Sequence, residues 1–313
     1  MQKQLPIIFG IAGPSLSADE TQFFKTNPVR GIILFARNIV DRPQLLALTA
    51  SIRALLGPDV WIAIDQEGGR VARLRPPLFP AYPPARQLAE NYVADPKATT
   101  ALVRDNYFRI GQGLAELGIN VDCAPVLDIP IPGAHDVIGD RAFGTEPGIV
   151  AALGLAACDG LRAAGVLPVI KHIPGHGRSM VDSHHDLPTV DTDYATLCAT
   201  DFAPFRALAD QPLAMTAHIV YRAIDPEQPI TLSVKGIERV IRGEIGFRGE
   251  LMSDDLGMKA LRGELGDLAL RTLAAGCDIV LHCSGVMDEM RRIVAAIAAK
   301  DGDYGIRSAR AMG

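Results

Sequence analysis

The residues with the greatest chemical potential lie between Lys171 and Pro188, in the stretch KHIPGHGRSMVDSHHDLP. It holds four of the chain's seven histidines, together with two aspartates, one lysine and one arginine. Histidines titrate near neutral pH, so a group of them beside carboxylates suits proton transfer. Pro174 and two glycines exclude a continuous helix, and the apolar run before Lys171 is typical of a buried strand. We therefore interpret the stretch as a functional loop that directly follows a strand.

Two spacings inside this loop differ in what they predict. Asp182 precedes His184 by two residues, so its carboxylate can accept the imidazole N–H, fix the tautomer and raise the basicity of the other nitrogen. His172 and His176 have the spacing of metal ligands on a helix, but the Pro-Gly pair between them breaks that helix. The pattern therefore favours Asp182 and His184 for proton transfer and gives little support to a metal site. The alternative is a polar surface loop whose histidines cap backbone groups.

The same stretch resembles the signature loop of the family 3 glycoside hydrolases, in their β-N-acetylglucosaminidase branch. The resemblance implies that Asp182 and His184 form an unusual histidine general acid/base. It also implies that residues 1–313 form a single catalytic barrel, without the additional sandwich domain that many members carry. No metal or organic cofactor is implied.

Length and composition are consistent with an enzyme that consists of one barrel domain. The chain has 313 residues and is 48% apolar, which suits a (β/α)8 barrel of about 250 residues with insertions. Its 36 acidic and 31 basic residues include no basic run, so we expect no nucleic-acid partner. The N-terminal apolar run is short and broken by glycine, which argues against a signal peptide or a membrane span. The five scattered cysteines are typical of reduced core residues in a cytoplasmic protein.

Short apolar runs alternate with amphipathic helical patterns along the chain. Runs of this length and composition are typical of strands that are buried on both faces. Eight such units favour an α/β fold with a single (β/α)8 TIM-type barrel, and an open doubly wound sheet is the alternative. The predicted strands are Ile7–Ala12, Gly31–Phe35, Val60–Asp65, Asn120–Val126, Leu167–His172, Leu213–His218, Glu250–Asp254 and Cys277–His282. The clearest predicted helices are Gln44–Leu56, Thr99–Leu117, Ile149–Ala164, Val234–Ile245 and Met287–Ala299.

Polar residues cluster where the apolar runs end, which in a barrel is the face that carries catalysis. The third run leads into Asp65, Arg70 and Arg73, with two glycines that allow a tight turn. By itself this cluster is equally consistent with a ligand-binding turn and with a salt-bridged structural turn. The resemblance implies that Asp65 and Arg73 bind the terminal sugar and that Arg70 is structural.

Further polar residues follow the fourth and fifth runs. Arg141 lies in the loop IGDRAFG, where the resemblance implies that its guanidinium donates to sugar hydroxyls; a surface arginine at a turn is the alternative. Lys171 and His172 end the fifth run, and by themselves they are equally consistent with ligand contacts and with an ordinary lysine and histidine at a strand end. The resemblance implies that both reach the sugar ring. Asp122 and Asp128 are weaker candidates, which we expect to hold loops and neighbouring arginines.

The seventh run ends in two adjacent carboxylates, Asp254 and Asp255. Neighbouring side chains on a strand point to opposite faces, so we expect only one of them to face the barrel axis. The residues alone do not decide which one; the resemblance implies that Asp254 is the nucleophile and Asp255 a cap or structural partner. The resemblance implies that Met258 lies near the acetamido group of the substrate, although a methionine of the hydrophobic core would look the same in the sequence. His218 is interpreted as a satisfied histidine at the barrel mouth, and His282 has no assigned role.

Together these residues predict a retaining glycosidase. Asp254 would attack the anomeric carbon, and His184 would act first as an acid and then as a base. The resemblance implies an exo-acting, cytoplasmic β-N-acetylglucosaminidase of cell-wall recycling, which removes N-acetylglucosamine from 1,6-anhydro-N-acetylmuramoyl muropeptides. We expect a small carbohydrate as its partner, no membrane, and a monomer or weak homodimer.

Two alternative functions use the same residues. A histidine does not repel phosphate as a carboxylate would, so phosphate instead of water is a possible second nucleophile, which would make the protein a glycoside phosphorylase. A non-catalytic sugar-binding barrel is the other alternative. It is disfavoured because Asp254, Asp182 and His184 are all present.

Overall fold

The short apolar runs form eight parallel strands that close into a barrel, in a computed structural model that describes residues 4–181 and 187–299. Each strand pairs with its neighbours in chain order, and the first also pairs with the eighth, which closes the ring. A closed ring leaves no unpaired sheet edge. The strands are β1 (Leu5–Gly10), β2 (Val29–Leu34), β3 (Trp61–Ile64), β4 (Val121–Asp122), β5 (Leu167–Ile173), β6 (Leu213–Thr216), β7 (Glu250–Asp255) and β8 (Ile279–His282).

Helices occupy most of the connections between these strands. The α-helices are α1 (Ala18–Thr26), α2 (Arg42–Leu56), α3 (Ala85–Ala89), α4 (Pro96–Glu116), α5 (Pro147–Ala163), α6 (Tyr194–Ala199), α7 (Phe202–Ala207), α8 (Leu265–Ala275) and α9 (Met287–Ala299). Local signals explain their ends. In α2, the Asp41 side chain accepts the N–H of Gln44 at 2.8 Å, and Gly57 ends the helix with a φ of 100°.

The predicted (β/α)8 barrel is confirmed, and the alternative of an open sheet is wrong because β1 and β8 pair directly. The predicted helices are found, but the one that precedes β7 is a π-helix, Gly236–Glu244. Strand β4 is shorter than predicted. Pro125 has no N–H to donate to the ladder, so regular pairing stops before it and resumes only as an isolated bridge at Val126.

Alternation along the strands divides the core into two layers. On β1, Ile8 faces a cluster that fills the barrel interior, whereas Ile7 and Phe9 pack in a larger layer shared with the helices. The interior is therefore packed with side chains, so a ligand site has to lie beyond the strand ends. Across residues 4–181 and 187–299, none of the helices has both the length and the apolarity that a membrane crossing requires.

A short hairpin extends the functional face after β3. Gln66–Gly68 pairs antiparallel with Val71–Ala72, and the turn glycines adopt positive φ angles of 97° and 56°. The Gln66 side-chain oxygen accepts the backbone N–H groups of Arg73 and Leu74 at 2.9 and 3.0 Å. This hairpin brings Arg73 back beside the end of β3.

Candidate active site

A cavity of about 480 Å³ lies at the carboxyl ends of the strands. The loops that follow β3, β4, β5, β7 and β8 all contribute to its wall, as expected for the catalytic face of such a barrel. Its polar lining residues are Asp65, Arg70, Arg73, His135, Asp136, Arg141, Lys171, His172, His176, Asp254 and Asp255.

Five charged side chains form a continuous ion-pair chain at one side of the cavity. Lys171 lies at its centre, with its Nζ 2.8 Å from Asp65 Oδ1 and 2.7 Å from Glu67 Oε1. Arg73 Nη2 contacts the other Asp65 oxygen at 2.9 Å, and Arg141 binds both Glu67 oxygens at 2.8 Å. The Lys171 side chain is only 2% exposed, so solvent screens these charges weakly.

The ion pairs determine the protonation states of the acidic and basic side chains in this ion-pair chain. Burial by itself would raise the pKa of Asp65, but Lys171 and Arg73 outweigh burial and hold it well below its usual range. Burial also opposes ionisation of Glu67, and Arg141 with Lys171 still lowers the pKa of Glu67 to about 2. The carboxylates in turn hold the pKa of Lys171 above its ordinary value, against the effect of its burial. Asp65, Glu67 and Lys171 are therefore ionised at neutral pH, and the five side chains offer fixed donors and acceptors to a polar ligand.

A histidine–carboxylate pair lies beside this chain. His172 Nδ1 is 2.7 Å from Asp128 Oδ2, while Asp128 Oδ1 accepts the backbone N–H groups of His172 at 3.1 Å and His176 at 2.7 Å. Because Nδ1 is engaged, Nε2 is the ring nitrogen that His172 can offer to a ligand. Burial and the neighbouring His172 lower the pKa of His176 to about 4. Within the described ranges, no three His, Cys, Asp or Glu side chains are grouped in a way that could hold a metal ion.

Strand β7 ends in Asp254 and Asp255, whose side chains have different partners. Asp255 Oδ1 accepts the N–H groups of Gly257 and Cys283, each at 3.0 Å, which ties this carboxylate into the turn. Within the described part of the chain, the Asp254 carboxylate accepts one hydrogen bond, from the N–H of Asp255 at 2.8 Å. Asp255 is therefore the more firmly held of the two carboxylates, and Asp254 is the one less tied to the surrounding backbone.

The outer wall of the cavity is a loop that Arg70 holds in place. Arg70 Nε lies 2.9 Å from Asp140 Oδ1, its Nη1 lies 3.2 Å from Asp136 Oδ2, and it also donates to the backbone carbonyl of Ile138 at 3.1 Å. These contacts join the hairpin after β3 to the loop that carries Arg141. These contacts agree with the structural role that the resemblance implied for Arg70.

Comparison with known proteins identifies the family. Residues 3–305 match a family model that is described as "Glycosyl hydrolase family 3 N terminal domain". The chain belongs to this family. It is 37% identical over 318 residues to a β-hexosaminidase of Bordetella avium (strain 197N), covering 95% of this chain and 90% of the relative. It is therefore a family 3 glycoside hydrolase.

Solved structures of family 3 members agree with this assignment. Native NagZ from Neisseria gonorrhoeae superposes with a TM-score of 0.88 at 35% identity, over 96% of this chain and 87% of that one. A family 3 β-N-acetylglucosaminidase from Paenibacillus sp. str. FPU-7 has a TM-score of 0.87 at 34% identity, over 94% of this chain and 56% of that one. The barrel described above is thus the fold of these family 3 enzymes.

The structure brings most of the predicted site residues together. Seven of them line the same cavity: Asp65, Arg73, Arg141, Lys171, His172, Asp254 and Met258. Their individual roles in sugar binding and catalysis stay predictions. The predicted acid/base pair, Asp182 and His184, lies outside the described residues.

Three features of the site were not anticipated from the sequence. Glu67 was not selected, although its place two residues after Asp65 is the spacing that would bring the two carboxylates to the same side of an extended chain. Asp128 holds its loop as expected, but its side-chain partner is His172 and not an arginine. The expectation that only one carboxylate of β7 faces the site is wrong: Asp254 and Asp255 both line the cavity, because the pairing with β8 shifts register between Met252 and Asp255.

Proposed function

We propose that this family 3 enzyme is a retaining, exo-acting β-N-acetylglucosaminidase with Asp254 as nucleophile and His184, paired with Asp182, as general acid/base. One observation carries the proposal: the Asp254 carboxylate lines the same cavity as the ion-pair chain centred on Lys171. That chain offers fixed partners for the hydroxyls of one sugar, and Asp254 offers a carboxylate to its anomeric carbon. The names of the relatives, β-hexosaminidase and β-N-acetylglucosaminidase, support the same substrate class.

In the first step, an Asp254 oxygen attacks the anomeric carbon and forms the glycosyl-enzyme ester. The bond between that carbon and the glycosidic oxygen breaks, and His184 gives its proton to the departing oxygen. The hydrogen bond from the Asp255 N–H to Asp254 Oδ1 orients the attacking carboxylate. A histidine has a pKa near neutrality without strong desolvation, which suits it to this role.

In the second step, His184 takes a proton from water as the water oxygen attacks the anomeric carbon. The ester bond to Asp254 breaks, and the carboxylate and the protonated histidine are restored. Two displacements at the same carbon retain its configuration.

The side chains that line the cavity also suggest how the sugar binds. We assign five of them to the sugar hydroxyls: Asp65, Arg73, Arg141, Lys171 and His172. Met258 lines the cavity and is only 6% exposed, and we place it against the acetamido group. This contact would separate N-acetylglucosamine from glucose by the burial of one methyl group, worth about 1–3 kcal/mol.

For the substrate in the cell, we propose the non-reducing N-acetylglucosamine of 1,6-anhydro-N-acetylmuramoyl muropeptides. The enzyme would then act in the cytoplasm in peptidoglycan recycling, as a monomer or weak homodimer, with neither nucleic acid nor a membrane as partner. This proposal rests on the resemblance of the sequence from Lys171 to Pro188 to the β-N-acetylglucosaminidase branch of family 3.

The nucleophile is tested with aryl β-N-acetylglucosaminide beside the aryl β-glucoside. We expect selective cleavage of the acetamido sugar. Asp254→Ala should lose about 10³-fold or more in kcat, because an alanine cannot form the glycosyl-enzyme ester. Asp267→Ala, an aspartate whose side chain is 62% exposed on α8, is the matched control. Full activity in Asp254→Ala would require another nucleophile.

The acid is tested by leaving-group dependence. In the first step, measured as kcat/KM, His184→Ala should lose about 10²–10⁴-fold with a poorly departing phenol but little with dinitrophenol, which leaves without protonation. Because His184 is also the base of the second step, the glycosyl-enzyme should accumulate with the dinitrophenyl substrate. His172 also has a carboxylate partner, so His172→Ala is the comparison; as a sugar ligand it should lose equally with both leaving groups. If His172→Ala shows the steep dependence and His184→Ala does not, His172 is the acid. Added phosphate should leave turnover unchanged; formation of sugar phosphate would establish a phosphorylase.

A further inference from the structure

His282, at the end of β8, lies behind the cavity wall. Its neighbour Leu281 lines the cavity, and His282 is buried, with 1% of its side chain exposed. Its Nε2 lies 3.0 Å from Glu289 Oε2 and 2.9 Å from Ser284 Oγ. Its Nδ1 has no hydrogen-bond partner within the described residues, but it lies 3.6 Å from Asp255 Oδ1, an ion-pair distance. The imidazole is thus placed between two carboxylates.

One of these two carboxylates belongs to Asp255, the residue whose backbone N–H contacts the proposed nucleophile, Asp254. Asp255 accepts the N–H groups of Gly257 and Cys283 with one oxygen, and its backbone carbonyl lies 3.0 Å from His218 Nε2. Its own N–H donates to Asp254 Oδ1 at 2.8 Å. The peptide unit that orients Asp254 is therefore fixed from behind by the Asp255 side chain.

The surroundings favour an ionised carboxylate at both ends of His282. Burial by itself would raise the pKa of Asp255, but His282 and the two backbone amides outweigh burial and lower it. The pKa of Glu289 is lowered mainly by the hydrogen bond from Ser284, with a smaller contribution from His282. Without the imidazole beside it, the Asp255 carboxylate would turn away or take up a proton, and either change would release the two amides.

We propose that His282 is a positioning residue for catalysis: held by Glu289, it keeps the Asp255 carboxylate in place, and Asp255 in turn orients Asp254. This inference rests on the proposed function, in which Asp254 is the nucleophile. His282 does not line the cavity, so it acts on the chemical step and not on substrate affinity.

The test compares substitutions of His282 that keep its contact with only one of the two carboxylates. His282→Asn keeps an amide N–H close to the Nδ1 position, which faces Asp255, and His282→Gln keeps one close to the Nε2 position, which faces Glu289. We expect His282→Asn to stay within about 3-fold of the wild-type kcat. His282→Gln and His282→Leu should lose about 10–100-fold, with KM unchanged within about 2-fold, since a small displacement of the nucleophile costs that much.

The first chemical step is measured directly, as dinitrophenol release in a single turnover, on variants shown by circular dichroism to be folded. Glu289→Gln should lose a few-fold in this rate, because the glutamine keeps an acceptor for the imidazole but loses the negative charge that strengthens this contact. Asp288→Asn is the matched control: it neutralises the adjacent carboxylate of α9, whose side chain is 87% exposed. It should leave the rate unchanged.

Two outcomes would overturn the inference. One is a wild-type rate in all three His282 variants; the other is an equal loss in His282→Asn and His282→Gln, which would indicate a role in packing only. The Asp254→Ala variant separates this from a failure of the proposed function. If Asp254→Ala is fully active, the nucleophile is wrong; if it is inactive while the His282 variants behave as wild type, only the positioning role is wrong.

Discussion

At the scale of single residues, the most informative position is Lys171. From the sequence its functional and structural interpretations were equally good, since a lysine at a strand end is usually solvated. In the structure it is almost completely buried between Asp65 and Glu67. Burying three charges costs desolvation energy that apolar residues would avoid, so the arrangement is better explained by ligand binding than by stability.

Lys171→Met tests this network. The change leaves Asp65 and Glu67 buried with one cation each, so we expect the free energy of unfolding to fall by about 3 kcal/mol and sugar affinity to fall with it. Urea unfolding and KM measure the two effects. Lys97→Met, at an exposed position on α4, is the matched control and should change neither. A stable Lys171→Met enzyme with unchanged KM would show that Lys171 does not bind substrate.

At the scale of elements, the segment that follows β5 is seated by close backbone packing. A Cβ on Gly177 would lie 1.9 Å from the carbonyl oxygen of Ile129, and the Gly177 carbonyl accepts the N–H of Ile131 at 3.2 Å. Arg178 Nε pairs with buried Asp201 at 2.6 Å on the other side. The segment that leads toward the predicted acid/base is therefore fixed to two neighbouring loops.

Gly177→Ala should displace this segment. A methyl group there has no room against rigid backbone, so we expect a loss of about 1–3 kcal/mol in unfolding free energy and at least about 10-fold in kcat/KM. Gly113→Ala, on α4, meets nothing within 4 Å and should be neutral or slightly stabilising. Chemical denaturation and steady-state kinetics distinguish the two; wild-type kinetics in Gly177→Ala would mean that the segment tolerates the shift.

At the scale of the whole molecule, the barrel concentrates titratable groups at one end, where folding changes their pKa values. Burial and His172 lower the pKa of His176 to about 4, and burial lowers that of His218. Unfolded histidines titrate near 6.5, so between about pH 6.5 and 4 the unfolded chain binds more protons. Asp122 has the opposite sign, because burial raises its pKa well above the usual range.

Comparison of the wild type with His176→Asn isolates the contribution of this histidine from the opposite one of Asp122. We expect the stability advantage of the wild type over His176→Asn to be about 2 kcal/mol smaller at pH 4.5 than at pH 7, measured by urea denaturation. Below pH 4 the wild type should lose stability as Glu67, whose pKa is lowered to about 2, takes up a proton in the unfolded chain first. The same pH dependence in the wild type and in His176→Asn would contradict the assignment of His176.

The sequence by itself determined the barrel and much of the cavity wall. Eight apolar runs with helices between them specify the fold, and parallel strands in a barrel bring their carboxyl ends to one face. Residues that directly follow those runs, such as Asp65, Lys171 and Asp254, were found for this reason. The assignment of roles to them came from the resemblance to family 3.

Only the tertiary structure decided which side chains are partners. Glu67 joins Lys171, Asp128 joins His172, and His282 faces Asp255, although each pair is far apart in the chain. Such contacts depend on barrel register and on how far each side chain is buried, neither of which is a property of a local segment. Periodicity specifies elements because backbone geometry is local. Ion pairs between elements depend on how the closed barrel positions those elements relative to one another, so they cannot be predicted from a local segment.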